Sequence, residues 1–201
     1  SYARGHLEHH RKAGTHDDPD LPNYQAYPIS RESFRRKVTR DLTGQTGFKL
    51  LSYIARGASG AISREKRDSA KPFLQMILVQ VLIFAALSLF GIGWAYLIWI
   101  GAFLTTFMLV IRVRQVAEHA AVPDLYDPDP RLNTRTVEAP WWQRWIMAPN
   151  GVNFHMEHHF MASVPCYRLK ALREHLRAKH ALDDVPVFTG YGQLIRHVVP
   201  A

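Results

Sequence analysis

The chain of 201 residues is long enough for one domain, and its composition excludes several classes of protein. Its single cysteine, Cys166, excludes an intrachain disulfide and a thiolate cluster for zinc or iron–sulfur, so any bound metal must have nitrogen and oxygen ligands. The formal net charge of +8 would suit nucleic-acid binding, but all 25 lysines and arginines lie outside one long uncharged stretch. That distribution is typical of a cytoplasmic membrane face, and it predicts no nucleic-acid partner.

The first predicted element is a helix with three histidines at the spacing i, i+3, i+4, which are His6, His9 and His10. On a helix these offsets share one face, so the three imidazoles are expected to converge on one point. Imidazole is the commonest protein ligand for metals such as iron and zinc. The irregular segment that follows contains three aspartates that are either partners of the ligating imidazoles or turn formers, and the composition favours turn formers. They are Asp17, Asp18 and Asp20.

Two basic amphipathic helices are predicted next. Ser30 is the expected N-cap of the first, whose apolar side carries Phe34, Val38 and Leu42. Glycines 44 and 47 interrupt the chain before the second, which has an apolar stripe of its own. That stripe consists of Phe48, Leu51 and Ile54 or Ala55. Helices of this kind commonly lie on a membrane surface.

A transmembrane hairpin is predicted between Pro72 and Ile111, where no side chain is charged. The break at residues 91–93 divides this stretch into two spans, Phe73–Phe90 and Trp94–Ile111. Each span is about 27 Å long at ~1.5 Å per residue, just enough for a hydrocarbon core of roughly 30 Å. A buried hairpin of a soluble protein is the less favoured alternative.

Positive charges flank both ends of the predicted hairpin. They are Arg64, Lys66, Arg67 and Lys71 before it, and Arg112 and Arg114 after it. Because loops rich in lysine and arginine stay in the cytoplasm, both ends are predicted to be cytoplasmic and the turn at residues 91–93 to face the other side.

A lone histidine and a second histidine motif follow the hairpin on its predicted cytoplasmic side. The second span is expected to continue as one helix to His119, which shares a face with Gln115, while Glu118 points about 100° away and is a poorer ligand. The stretch 153–159 then repeats the first spacing with His155, His158 and His159.

The remaining C-terminal elements frame this second motif. Residues 122–130 are a loop by composition, and a helix with three tryptophans near residues 141–147 suits either the headgroup level of a membrane or a substrate-lining wall. Residues 168–180 are predicted to form an amphipathic helix with Leu169, Leu172 and Leu176 facing inward. The other histidines lie outside the motifs and are predicted to be outside the site. They are His16, His175, His180 and His197.

Seven histidines on cytoplasmic segments are too many for one tetrahedral zinc and suit two metal ions that can be six-coordinate. A nitrogen-rich pair of irons can bind and reduce O2 to an oxidant that attacks an unactivated C–H bond. A membrane metal transporter is the alternative from another class, but it would need polar groups inside the spans, and residues 73–111 contain no histidine or carboxylate.

The chain resembles the membrane fatty acid desaturase and hydroxylase superfamily. The resemblance rests on the two His-x-x-His-His motifs, the hairpin between them, the lone histidine after it and the sequence around residues 153–165. It implies an all-α integral membrane fold and an acyl-lipid desaturase that uses two Fe2+ ions and O2. It also implies a set of seven iron ligands, which are His6, His9, His10, His119, His155, His158 and His159. The polar residue that the family places four positions before the lone histidine is here Gln115.

The same resemblance implies the partners and the layout of the chain. The substrate would be a fatty acyl lipid held in membrane lipid, and the electron donor a separate ferredoxin or cytochrome b5. The alternative activity is hydroxylation or ketolation of a lipid, alkane or carotenoid with the same ligands. The expected layout is a cytoplasmic segment 1–71 with the first motif, the hairpin 72–111 and a cytoplasmic segment 112–201. Because the family has another histidine box upstream, we expect a C-terminal part of the desaturase domain that is inactive alone.

Overall fold

A computed structural model describes residues 2–62 and 67–201, with the backbone alone for residues 2, 57–62 and 67–72. The regular elements of the described residues are helices, joined by short 3-10 turns, and the pairing of Val137 with Phe188 is an isolated bridge. The prediction of an all-α fold is therefore confirmed. The helices are α1 (Tyr2–Lys12), α2 (Arg31–Leu42), α3 (Gln45–Ile62), α4 (Arg67–Leu89), α5 (Ala95–Leu104), α6 (Thr106–His119), α7 (Pro130–Asn133), α8 (Trp141–Met147), α9 (His155–Phe160), α10 (Leu169–Ala178) and α11 (Tyr191–Val198).

The chain divides into two compact units. One combines Ser1–Arg35 with Val110–Ala201, and the other is Arg36–Leu109. The first unit has its own hydrophobic core, in which Val116 of α6, Ala120 in the turn that directly follows α6, and Leu194 and Val198 of α11 are completely buried. Each pair is four residues apart, so each helix presents one apolar face to this core. The predicted division into segments 1–71, 72–111 and 112–201 stays a prediction.

Helix α2 begins as predicted, since the Ser30 hydroxyl accepts a hydrogen bond from the backbone N–H of Ser33 at 3.2 Å. Along its predicted apolar stripe, Phe34 and Val38 are partly buried. Leu42 is exposed, whereas Asp41 is completely buried and accepts a hydrogen bond from the Thr46 hydroxyl at 2.6 Å. The pairing with Thr46 makes burial of the carboxylate possible, and helical periodicity alone does not reveal such a partner.

Glycines 44 and 47 have different roles. Gly44 lies just beyond α2 with φ at +80°, where the left-handed backbone ends the helix. Gly47 does not interrupt the chain, because it lies within α3. A Cβ atom at Gly47 would come within 2.5 Å of the Leu104 carbonyl oxygen, so the glycine permits close approach of the backbone at the end of α5. The predicted stripe of α3 is exposed at Phe48 and Leu51.

Helices α4 and α5 form an antiparallel helical hairpin. The turn between them includes Gly91 at a φ of +73°. Across the hairpin, Gln80 accepts hydrogen bonds from the Tyr96 hydroxyl and the Trp99 indole, both at 3.1 Å, and Phe84 packs edge-on against Tyr96. These contacts join the two helices across an apolar stretch.

One predicted span meets the requirements for crossing a membrane. The helical stretch Ala95–His119 is long and apolar enough by length and composition, whereas Phe73–Leu89 is a shorter apolar helix. The stretch continues to His119 as predicted, with an interruption at Thr105, whose hydroxyl donates to the Gly101 carbonyl at 2.6 Å. Membrane insertion and orientation stay predictions, and the flanking residues Arg64 and Lys66 lie outside the described residues.

The C-terminal elements agree with the sequence patterns. Helix α8 has large exposed apolar side chains, with Trp145 the most exposed at 83%. In α10, Leu169 and Leu176 are buried as predicted, and Leu172 packs partly buried beside them.

Candidate metal centre

Three helices bring all seven predicted histidines together. Helix α1 carries the first motif, α6 ends at His119, and α9 carries the second motif. Their ring nitrogens form two groups, each with its ligand atoms within 4.8 Å of one another. The four-histidine group is His9, His119, His155 and His159, and the three-histidine group is His6, His10 and His158. Imidazoles of the two groups are in contact, since His10 and His159 stack with ring centroids 4.1 Å apart.

The division of each motif between the groups differs from the expectation that three imidazoles of one motif converge on one point. In α1, His6 and His10 belong to one group and His9 to the other. In α9, His155 and His159 stay together, and His158 belongs to the other group. In both helices the i, i+4 pair remains together because these positions are nearly aligned along the axis. The third histidine is rotated by about 60–100° from each of them and therefore meets the neighbouring group.

The nitrogen positions suit ligands of a metal ion. In the three-histidine group, His10 Nε2 is 3.2 Å from His6 Nε2 and 2.9 Å from His158 Nε2, and His6 Nε2 is 3.2 Å from His158 Nε2. Two ligands at right angles, each about 2.1 Å from a metal, are about 3.0 Å apart. An imidazole nitrogen carries either one hydrogen or one lone pair, so three nitrogens in a triangle cannot all be satisfied by one another. A shared cation would satisfy all three.

The four-histidine group has the same short spacing. His119 Nε2 lies 3.1 Å from His9 Nε2 and 2.9 Å from His155 Nε2. The Nε2 atom of His159 is buried and has no hydrogen-bond partner among the described residues. A buried ring nitrogen without a partner is costly, and coordination would remove that cost. The residues present therefore fit two metal ions.

Burial keeps most of these imidazoles neutral. Burial and neighbouring imidazoles lower the pKa of His10 to about 4 and hold the pKa of His155 and His159 well below the usual value. A neutral imidazole retains the lone pair that coordination requires. Among the described residues neither group includes a carboxylate, so the donor set is rich in nitrogen.

Asp18 holds His9, although the sequence favoured a role in turn formation alone. Its carboxylate accepts a hydrogen bond from His9 Nδ1 at 2.8 Å and another from the Tyr24 hydroxyl. It also accepts the backbone N–H of Asp20 at 2.9 Å, so it forms the turn as well. Burial alone would raise the pKa of Asp18, but the hydrogen bonds from His9 and Tyr24 hold it below the ordinary value. The carboxylate orients the ring and leaves Nε2 directed at the site.

The backbone orients His119, whose Nδ1 donates to the Asn133 carbonyl at 3.1 Å. The ring of Tyr24 stacks on His119 with centroids 4.8 Å apart. Glu118 belongs to neither group, as expected from its angle on α6, and it pairs with Arg114 at 3.6 Å. The sequence did not identify Tyr24 or Asn133, because no local spacing connects them with a histidine on another segment.

A cavity of about 450 Å³ lies beside both groups. His6, His9, His119, His155 and His158 form part of its wall, and Gln115 and Glu118 also line it. The rest of the wall combines polar and apolar side chains. The apolar ones are Ile111, Val152 and Leu169, and the others include Asp20, Tyr24, Arg114, Asn150 and Cys166. The cavity therefore places apolar surface next to the imidazoles.

The histidines excluded on sequence grounds lie outside both groups. His16 packs against the ring of Tyr126 with centroids 4.1 Å apart. His175, His180 and His197 are exposed, as predicted.

Replacing Asp18 with asparagine is expected to weaken metal binding by about 10–100-fold, because an amide is a poorer acceptor for His9 Nδ1–H. A metal titration of the purified chain measures the change. The Asp17→Asn variant is the matched control, because Asp17 is exposed and one residue away. Equal affinities of the two variants would contradict the role assigned to Asp18.

The helical scaffold and the seven clustered histidines define a class of protein with a nitrogen-rich site that fits two metal ions. The chain belongs to the fatty acid desaturase family, whose model matches residues 1–191. A search of curated proteins and a search of solved structures each found no match. The resemblance inferred from the histidine motifs is thereby confirmed.

Family membership indicates the general class of activity. The family comprises membrane-associated di-iron oxidoreductases of lipid metabolism, which act on fatty acyl lipids and receive electrons from a donor. The clustered histidines are compatible with the histidine boxes of such a site.

Proposed function

We propose that the chain takes part in O2-dependent desaturation of a fatty acyl chain and that its seven clustered histidines bind two iron ions. The observation that carries this proposal is the pair of adjacent histidine groups with Nε2 atoms 2.9–3.2 Å apart. With O2, two electrons and two protons, such a reaction removes two hydrogens from adjacent methylenes and releases two molecules of water.

The protein's own residues would bind and orient the reactants. The seven ligands would be His6, His9, His10, His119, His155, His158 and His159. When bound, the iron pair supplies the oxidising power for C–H cleavage. Asp18 and the Asn133 carbonyl hold the Nδ1 atoms of His9 and His119, which directs the opposite nitrogens inward. The apolar side chains of the cavity wall would contact the methylenes of the acyl chain and exclude water from them.

The proposal includes a location and an electron donor. We infer a hairpin 72–111 in the membrane and the histidines on its cytoplasmic side, because arginines follow Ile111 and His119 lies farther along the same helix. A separate ferredoxin or cytochrome b5 would supply the electrons. Residues 35–37 carry three consecutive positive charges that suit an acidic donor.

Expression of the full-length gene in a host without the activity is expected to yield lipids with new double bonds. Mass spectrometry of the extracted lipids measures this outcome. The variant His119→Ala is the control, and it is expected to give the lipid profile of the host, because His119 lies at the centre of the four-histidine group. Lipids with added oxygen in place of a double bond would contradict desaturation and favour hydroxylation.

A further inference from the structure

Helix α9 is too short to set its own orientation. It has six residues, and isolated helices of that length are unstable in water. It nevertheless contributes His155 and His159 to one group and His158 to the other. The direction of these side chains must therefore come from the contacts that α9 makes with the rest of its unit.

The backbone before α9 is tied to another segment of the chain at Val137. The Val137 N–H donates to the Asn153 carbonyl at 3.0 Å, and the Asn153 side-chain amide donates to the Val137 carbonyl at the same distance. This pair lies two residues before His155, at the N-terminal end of the helix. One tied end limits translation of α9 but allows rotation about that point.

A buried ionic network provides the second point. Glu157 is completely buried, and its Oε1 accepts a hydrogen bond from Arg173 Nη1 at 2.5 Å, while its Oε2 accepts one from the Thr136 hydroxyl. Arg173 is 3% exposed and donates from Nε to Glu138 at 2.6 Å. Arg177, one turn farther along α10, donates to the same oxygen of Glu138.

The network faces away from the metal-binding groups. Glu157 follows His155 by two positions, which is about 200° around a helix, so its carboxylate leaves on the side opposite to His155. It belongs to neither histidine group. Arg173 contacts two carboxylates with different nitrogens of one planar guanidinium. That geometry sets the direction of the Glu157 side chain in addition to neutralising its charge.

We propose that Arg173 is a positioning residue that, through Glu157, sets the rotation of α9 and thereby aims His155, His158 and His159 at both metal sites. The inference rests on the metal binding proposed above. Met156 adds apolar packing with Leu176 and Leu182, but such packing is less directional than hydrogen bonds to a planar group.

The test compares Arg173→Met with Arg177→Met in the full chain purified without metal. Co2+ is titrated into each protein, and its visible absorption reports both affinity and coordination geometry. Arg173→Met is expected to bind Co2+ about 10–100-fold more weakly, which is the usual effect of losing a residue that orients a metal ligand. Its absorption bands are expected to shift. Arg177→Met removes a half-exposed guanidinium that contacts Glu138 alone in the network, and it is expected to bind as the unaltered chain does.

A second variant, Arg173→Lys, keeps the buried charge but lacks the planar fork. It is expected to fold and to show the same shifted bands, because one ammonium cannot hold both carboxylates in the original geometry. Unaltered affinity and bands in Arg173→Lys would overturn the proposal, as would equal behaviour of the Met variants. If the unaltered chain binds no Co2+, the proposed metal binding is wrong, whereas binding that is equal in the unaltered chain and the Arg173 variants shows that only the positioning role is wrong.

Discussion

Replacing His158 with alanine is expected to lower the bound iron from about two ions to about one per chain and to reduce activity by more than about 100-fold. The side chain belongs to the three-histidine group, so its loss leaves two imidazoles there, while the four-histidine group keeps all its members. His159→Ala is expected to deplete the four-histidine group. Iron analysis of each purified variant, together with lipid profiling, measures these effects.

The control for both variants is His175→Ala. This histidine is exposed on α10 and belongs to neither group, so iron content and activity are expected to be unchanged. Two ions in His158→Ala would show that His158 is not a ligand. Loss of both ions in each single variant would contradict the division into two groups and favour a centre that assembles as one unit.

Replacing Leu97 with arginine is expected to reduce the membrane-inserted fraction of the chain by about tenfold. Leu97 lies within the predicted second span and is 73% exposed in α5, so an arginine there would face hydrocarbon. A charged residue costs about 3 kcal/mol at the centre of a span and less near its end, where Leu97 lies. We expect about half of that cost, and about 1.4 kcal/mol corresponds to a factor of ten. The measurement is the fraction retained in membranes after an alkaline wash.

Val187→Arg provides the comparison, because Val187 is also an exposed apolar residue but lies in the C-terminal segment outside the predicted hairpin. It is expected to leave membrane retention unchanged. Equal retention of Leu97→Arg and the unaltered chain would contradict the predicted transmembrane hairpin and favour a helical pair outside the bilayer.

Local patterns predicted most helices correctly. Ser30 caps α2, and Leu169 and Leu176 of α10 are buried, as their spacing predicted. Capping and amphipathic burial depend on neighbours within one or two turns, so local sequence is enough to predict them. The features that the patterns did not reveal occurred where a distant or polar partner decided the outcome. Thr46 permits the burial of Asp41, and the backbone at Leu104 makes Gly47 a packing residue within a helix.

The clustering of the seven histidines could be expected from the sequence, but the residues that surround and orient them could not. The repeated i, i+3, i+4 spacing identified six histidines, and His119 was identified by its place after the hairpin. Asp18 was named with two other aspartates and could not be separated from them, since its contact with His9 depends on how the turn folds back. Arg173 carried no signal, because it pairs with Glu157 across two segments.

The sequence alone determined the helical class, the apolar stretches and the seven candidate ligands, because these depend on residue type and on the fixed period of a helix. The tertiary structure decided which histidines lie together in each group. Helical spacing orients side chains within one helix, but the grouping of His10 with His158, and of His9 with His119, depends on how α1, α6 and α9 pack. The same packing buries the pairs Asp18–His9 and Glu157–Arg173, which hold the imidazoles in place.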